Sequence, residues 1–169
     1  GWQKEGDDTA TVARAKQRLR LATFIQMTSP GAPMVYYGDE VGVAGGDDPY
    51  NRATYPWADL GGRPDQALLA DFKGLIRMRQ QHAVLRRGST DAPLFADEHV
   101  VVQARRLGNT WALVATNNAA EPRTVKLRLP AEMGKVRWHN VLGGPGLGLS
   151  DGIAELLVPP VYGSVLIGR

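Results

Sequence analysis

The sequence predicts a piece of parallel α/β structure followed by a small all-β domain, an antiparallel sandwich. Three observations carry that expectation. Before Gly88, two long helical patterns flank one short, unbroken apolar run, and helix alternating with buried strand is the rhythm of α/β folds. After Gly88 the chain turns to short segments broken by glycine, proline and asparagine, which suits strands joined by tight turns. No repeat or low-complexity linker separates the halves, so they are expected to pack together.

The first helix is expected to start at Asp7, Asp8 or Thr9, where a small polar side chain accepts bonds from first-turn amides. Val12, Ala15, Leu19 and Ala22 follow at helical spacing, with Arg14, Lys16, Arg18 and Arg20 mostly elsewhere. From Leu21 to Met27 the polar face almost disappears, which predicts burial on all sides before Pro30 ends the helix. Met34–Tyr37, bounded by Gly31, Pro33 and Gly38, lacks alternation and suits a strand buried on both faces. The alternative is an extended core segment. A second helix is expected over about Pro64–Leu85, with Leu68, Leu69, Phe72, Leu75 and Ile76 on its apolar stripe. Strands are expected near 100–106, 110–117, 122–129, 135–141, 153–158 and 161–167. Val125-Lys126-Leu127-Arg128-Leu129 shows the alternation of one dry and one wet face.

One doubly buried parallel strand cannot make a sheet, and residues 1–87 offer no second good candidate. The first half therefore reads as the end of a larger α/β domain.

Composition narrows the function classes only a little. The 169 residues allow one or two domains, and an apolar content of 43% supports a real core. The 20 Lys and Arg against 17 Asp and Glu leave a charge of +3, too weak a bias to suggest nucleic acid. Cysteine is absent, which removes disulfides, thiolate metal sites and thiol nucleophiles. No apolar stretch approaches the roughly 20 residues of a membrane span, and no export signal is read in residues 1–30; the expected compartment is the cytoplasm. His82, His99 and His139 share no metal-ligand spacing, and no phosphate loop or nucleophile elbow occurs.

Candidate chemistry gathers in the loop after the apolar run. Asp39-Glu40 and Asp47-Asp48 supply carboxylates, but neighbours in an extended segment face opposite ways, so Asp39 and Glu40 do not suit a catalytic pair. In Asp48-Pro49-Tyr50-Asn51-Arg52, Asp before Pro fits a helix cap, with Asp48 and Arg52 one turn apart on a common face. That pair either pins a turn or offers acceptors and donors to sugar hydroxyls. Tyr50, Tyr55 and Trp57 either stack on a sugar face or anchor the loop.

The segment Met27-Thr28-Ser29-Pro30-Gly31-Ala32-Pro33-Met34-Val35-Tyr36-Tyr37-Gly38-Asp39-Glu40-Val41-Gly42, followed by Gly45-Gly46-Asp47-Asp48-Pro49, Arg52 and a later Pro56-Trp57, resembles the alpha-amylase family of glycoside hydrolases (family thirteen). Within it, the resemblance is to the neopullulanase, cyclomaltodextrinase and maltogenic amylase branch. It covers residues 8–87 closely and the remainder only in character. It implies that residues 1–87 end a (β/α)8 barrel, as its seventh helix, eighth strand (Met34–Tyr37) and eighth helix, and that residues 88–169 form the C-terminal β-sandwich. Active sites of such barrels lie at the strand C-termini, so the loop over 38–60 would border one. There the resemblance implies that Asp48 and Arg52 hold the nonreducing side of a bound α-glucan oligosaccharide, with Tyr50 and Trp57 as further candidates and Glu40 structural. The family's nucleophilic Asp, acid/base Glu and transition-state-stabilising Asp would all precede Gly1, so no catalytic residue is expected in this chain. No cofactor or metal is expected, nor a nucleic-acid or membrane partner. The expected partners are the glucan and the upstream barrel segment, with self-association through exposed barrel edges. The competing expectations are a stand-alone carbohydrate-binding module and a noncatalytic interaction protein on a hydrolase-derived scaffold.

Overall fold

A computed structural model describes residues 9–45 and 48–169, without the Tyr50 side chain. Helix α1 spans Thr9–Thr28, α2 Gln66–Gln81 and α3 Ala83–Arg87; single 3-10 turns cover Asp39–Val41, Tyr50–Arg52 and Ala58–Leu60. Among the described residues eight strands follow: β1 (Phe95–Ala96), β2 (Val100–Leu107), β3 (Thr110–Asn117), β4 (Arg123–Arg128), β5 (Trp138–Asn140), β6 (Gly148–Ser150), β7 (Ile153–Val158) and β8 (Tyr162–Gly168). They form two antiparallel sheets, one ordered β1-β2-β3-β8-β5 and the other β4-β7-β6.

The five-stranded sheet is the middle layer of a three-layer stack. On one face Val102, Leu113, Ala115 and Leu166 meet Val125, Leu127, Leu156 and Val158 of the smaller sheet. On the other, Ala112, Val114, Val165 and Ile167 meet Phe24, Met27, Leu75, Met78, Val84 and Leu85 of the helices. This explains why β3 and β8 are buried nearly throughout while β7 alternates strictly and β4 alternates from Thr124 onward: two covered faces demand apolar residues at both parities, one covered face at a single parity. Each fully buried Leu, Phe or Ile adds roughly 1.5–3 kcal/mol of transfer free energy.

The Asp65 side chain accepts from the Leu68 amide at 3.0 Å and caps α2, so Pro64 lies outside the helix rather than in its first turn. The same carboxylate takes the Lys16 ammonium at 2.6 Å, and Arg20 meets Asp71 at 2.5 Å, so two ion pairs join α1 to α2. The single second helix expected from the sequence is in fact two, broken at His82. The carbonyls of Arg79 and Gln80 near the break both accept from the Arg86 guanidinium.

Two further expectations are corrected. In α1, Thr23, Phe24, Met27 and Thr28 are buried, but Ala22 and Ile25 are exposed: the helix is covered on one side only. Met34–Tyr37 forms no strand, and its side chains are 72%, 36%, 56% and 47% exposed. A strand buried on both faces needs hydrogen-bonded neighbours and two covering layers, and among the described residues nothing pairs with this segment. Of the expected helix starts, Asp7 and Asp8 lie outside the described residues. Among the described residues no helix is long and apolar enough to cross a membrane.

Candidate functional site

The loop after Met34–Tyr37 is shaped by glycine. Gly38 has φ +92, and a Cβ there would lie 2.9 Å from the Val43 side chain, so only glycine fits without displacing it. The Glu40 carboxylate accepts from the Gly38 amide at 2.9 Å, which gives Glu40 a turn-forming role. Beside it, burial and then the neighbouring Glu40 charge push the Asp39 carboxyl above its usual range. Val41 is buried, its carbonyl accepting from the Asp65 amide at 3.2 Å. The first part of the loop is thereby tied to the cap of α2.

The expected pairing of Asp48 with Arg52 is present: the Arg52 guanidinium donates to the Asp48 carboxylate at 3.1 Å, both groups being well exposed. The geometry differs in one respect. Asp48 caps nothing; Pro49 precedes the 3-10 turn, no side chain caps it, and the Asp48–Pro49 peptide is cis. An exposed pair of this kind contributes little to stability. Its polar groups face solvent, where a ligand rich in hydroxyls finds both acceptors and donors.

Trp57 is 57% exposed and tilts against Tyr55, ring centroids 4.5 Å apart. The Tyr37 hydroxyl donates to the Ala53 carbonyl at 2.8 Å, one residue beyond Arg52. That tether was not foreseen, and no sequence pattern announces it. Asp47 and the Tyr50 side chain lie outside the described residues. Among the described residues no three His, Asp or Glu gather where a cation would bind. Thus the site consists of one exposed ion pair and one exposed aromatic cluster on a loop pinned at Gly38, Ala53 and Asp65. Among the described residues it offers one carboxylate and one guanidinium to solvent beside the Tyr55 and Trp57 rings.

The chain matches known proteins in both sequence and fold, although no family model matches it. It is 33% identical over 166 residues to amylopullulanase from Thermoanaerobacterium saccharolyticum, an alignment covering 90% of this chain and 13% of that enzyme. It is 34% identical over 151 residues to neopullulanase 2 from Thermoactinomyces vulgaris, covering 88% of this chain and 25% of that one. Its fold superposes on an alpha-amylase from Geobacillus thermoleovorans, solved with acarbose, with a TM-score of 0.81 and 25% identity, over 94% of this chain and 35% of the other. These relatives and the shared fold place the chain among the glycoside hydrolases. More narrowly, the chain belongs with the C-terminal region of the alpha-amylase family, family thirteen. It spans a quarter or less of the length of these two relatives.

Proposed function

We propose that this chain is the C-terminal part of a retaining α-glucan hydrolase of the neopullulanase type, acting on α-1,4 and also α-1,6 glucosidic bonds. Met34–Tyr37 is then the last barrel strand, and upstream strands cover it. Residues 1–87 close the barrel, and residues 88–169 are the sandwich behind it. Asp48 and Arg52 hold hydroxyls on the nonreducing side of the glucan, with Trp57 and Tyr50 nearby. The chain alone is inactive, because both reacting carboxylates of a double displacement lie elsewhere.

The observation that carries this proposal is the exposure of Met34–Tyr37 directly before the Asp48–Arg52 loop. An apolar run of that composition is expensive to leave in water, and a sheet in which it is an inner strand removes the cost. The test is calorimetry with maltotriose and maltohexaose beside turnover assays on pullulan and cyclodextrins. The 169-residue chain is expected to give no heat and no turnover, and the same chain joined to its upstream segment to give both. Heat from the chain alone, lost in Arg52→Ala, would establish a binding module instead; turnover by the chain alone would overturn the assignment of chemistry to upstream residues.

A further inference from the structure

Two arginines unused by the loop sit at the centre of the junction between helices and sandwich. Arg79 of α2 is 5% exposed and Arg105 of β2 is 3% exposed, and among the described residues neither has an acidic partner. Every bond they make goes to a main-chain carbonyl. Arg79 donates to Met27 at 2.8 Å, Ser29 at 2.9 Å, Leu85 at 3.0 Å and Gly31 at 2.6 Å. Arg105 donates to Ser89 at 3.0 Å, Thr28 at 3.2 Å, Leu85 at 2.5 Å and Gly88 at 2.9 Å. A buried cation without a counter-ion is costly. Here the unpaired carbonyls at the ends of α1 and α3 supply the negative field, and the two guanidiniums share one of them, Leu85.

Four of these bonds, to the carbonyls of Met27, Thr28, Ser29 and Gly31, lie where the chain leaves α1. Beyond Gly31, which has φ +94, Pro33 removes further backbone freedom. The Gln26 side-chain amide then donates to the Met34 carbonyl at 2.5 Å, and the Tyr37 hydroxyl reaches Ala53. The chain is thus held by side chains at Thr28 and Gly31, again at Met34, and from Tyr37 to the residue after Arg52, with only the backbone between these points. We propose that Arg79 and Arg105 are positioning residues: they lock the sandwich to the end of α1 and so fix the direction in which the arm over 32–45 leaves it. That this arm leads to a glucan contact rests on the function proposed above; the lock itself does not.

Hydrogen exchange of the 169-residue chain tests this without any glucan, so its outcome is separate from that of the functional proposal. The amides of Asp39, Val41, Gly42 and Val43 are bonded within the loop turn and report the arm. Lysine keeps the charge but cannot span four carbonyls. In Arg105→Lys, exchange at 39–43 is expected to quicken about tenfold while β3 amides stay within about twofold of the parent. Arg79→Lys, measured in parallel, is expected to do the same, and it carries the test if the first variant does not fold. A quickening confined to 27–31 and 85–89, an equal quickening everywhere, or a lower Tm with exchange at 39–43 unchanged would each make the arginines merely structural and overturn the proposal.

Discussion

Gly163 of β8 leaves the space that the ring of Phe24 fills: a Cβ at this position would lie 2.3 Å from Phe24 Cε1 and 2.4 Å from the Ala115 carbonyl oxygen. Phe24 is fully buried and packs against Tyr162 with the rings tilted by 52° and their centroids 5.2 Å apart. One missing methyl therefore decides how closely α1 approaches the sheet. Gly163→Ala is expected to lower stability by about 2–3 kcal/mol, because one of the two clashing groups is backbone that cannot swing aside. Denaturant unfolding measures it. Phe24→Leu in the same background is expected to recover part of the loss, since it removes the ring atoms but not the carbonyl.

Asp65 does two jobs that substitution separates. Asparagine keeps the cap on the Leu68 amide but loses the charge opposite Lys16; alanine loses both. Asp65→Ala is expected to cost about 1–2 kcal/mol and Asp65→Asn less than about 1 kcal/mol. The Leu68 amide first, and then Lys16, hold the Asp65 carboxyl below its ordinary 3.8. The folded state thus binds this proton less readily than the unfolded state. The stability it confers is complete above pH 3.8 and lost as the pH falls through the lowered folded value, and Asp65→Ala should flatten that part of the acid-unfolding curve.

Much of the sandwich was legible because its signals are local. Gly108-Asn109 marks the turn between β2 and β3, and the alternation in 125–129 gives the two faces of β4. Strands β1 and β6 escaped, having two and three residues and no pattern long enough to read. The break at His82 was also invisible: no proline or glycine marks it, and carbonyls beside it are met by Arg86 from a later turn. Arg79 could have been found. Leu68, Phe72, Leu75 and Arg79 step along one helical face, which places a cation on the buried stripe of α2. The apolar run at Met34–Tyr37 was expected as a strand buried on both faces and is instead exposed, because a strand is a property of a sheet and among the described residues nothing pairs with this segment.

His82 gives the chain a second acid-sensitive point, in a milder range. Burial foremost, then the charges of His139 on β5 and Arg169 at the chain end, lower its pKa from 6.5. Because the folded pKa is depressed, the unfolded state binds the proton more readily. Stability is therefore complete above about pH 6.5 and falls as the pH drops through the folded value. Thermal melts between pH 7.5 and 5 are expected to show a declining Tm, and His82→Gln is expected to shrink that decline. An unchanged slope would show that other groups set it.

The exposed apolar arm also governs how the isolated chain behaves in solution. Met34 and Tyr36 are more than half uncovered, Tyr37 is 47% exposed, and Leu60 is 80% exposed. Burial of such side chains is worth roughly 25 cal/mol per Å² of apolar surface, and an extended segment that pairs with no strand among the described residues invites a second chain to pair with it. Light scattering is expected to show mass rising with concentration. Tyr36→Asp combined with Leu60→Asp replaces two of these groups by charges that repel a second copy. It is expected to weaken association by about tenfold or more while leaving the melting of the sandwich unchanged. If the double variant associates as tightly as the parent, the contact lies elsewhere; the outer face of the small sheet, where Leu149, Ile153 and Leu157 are each partly exposed, is then the next surface to alter.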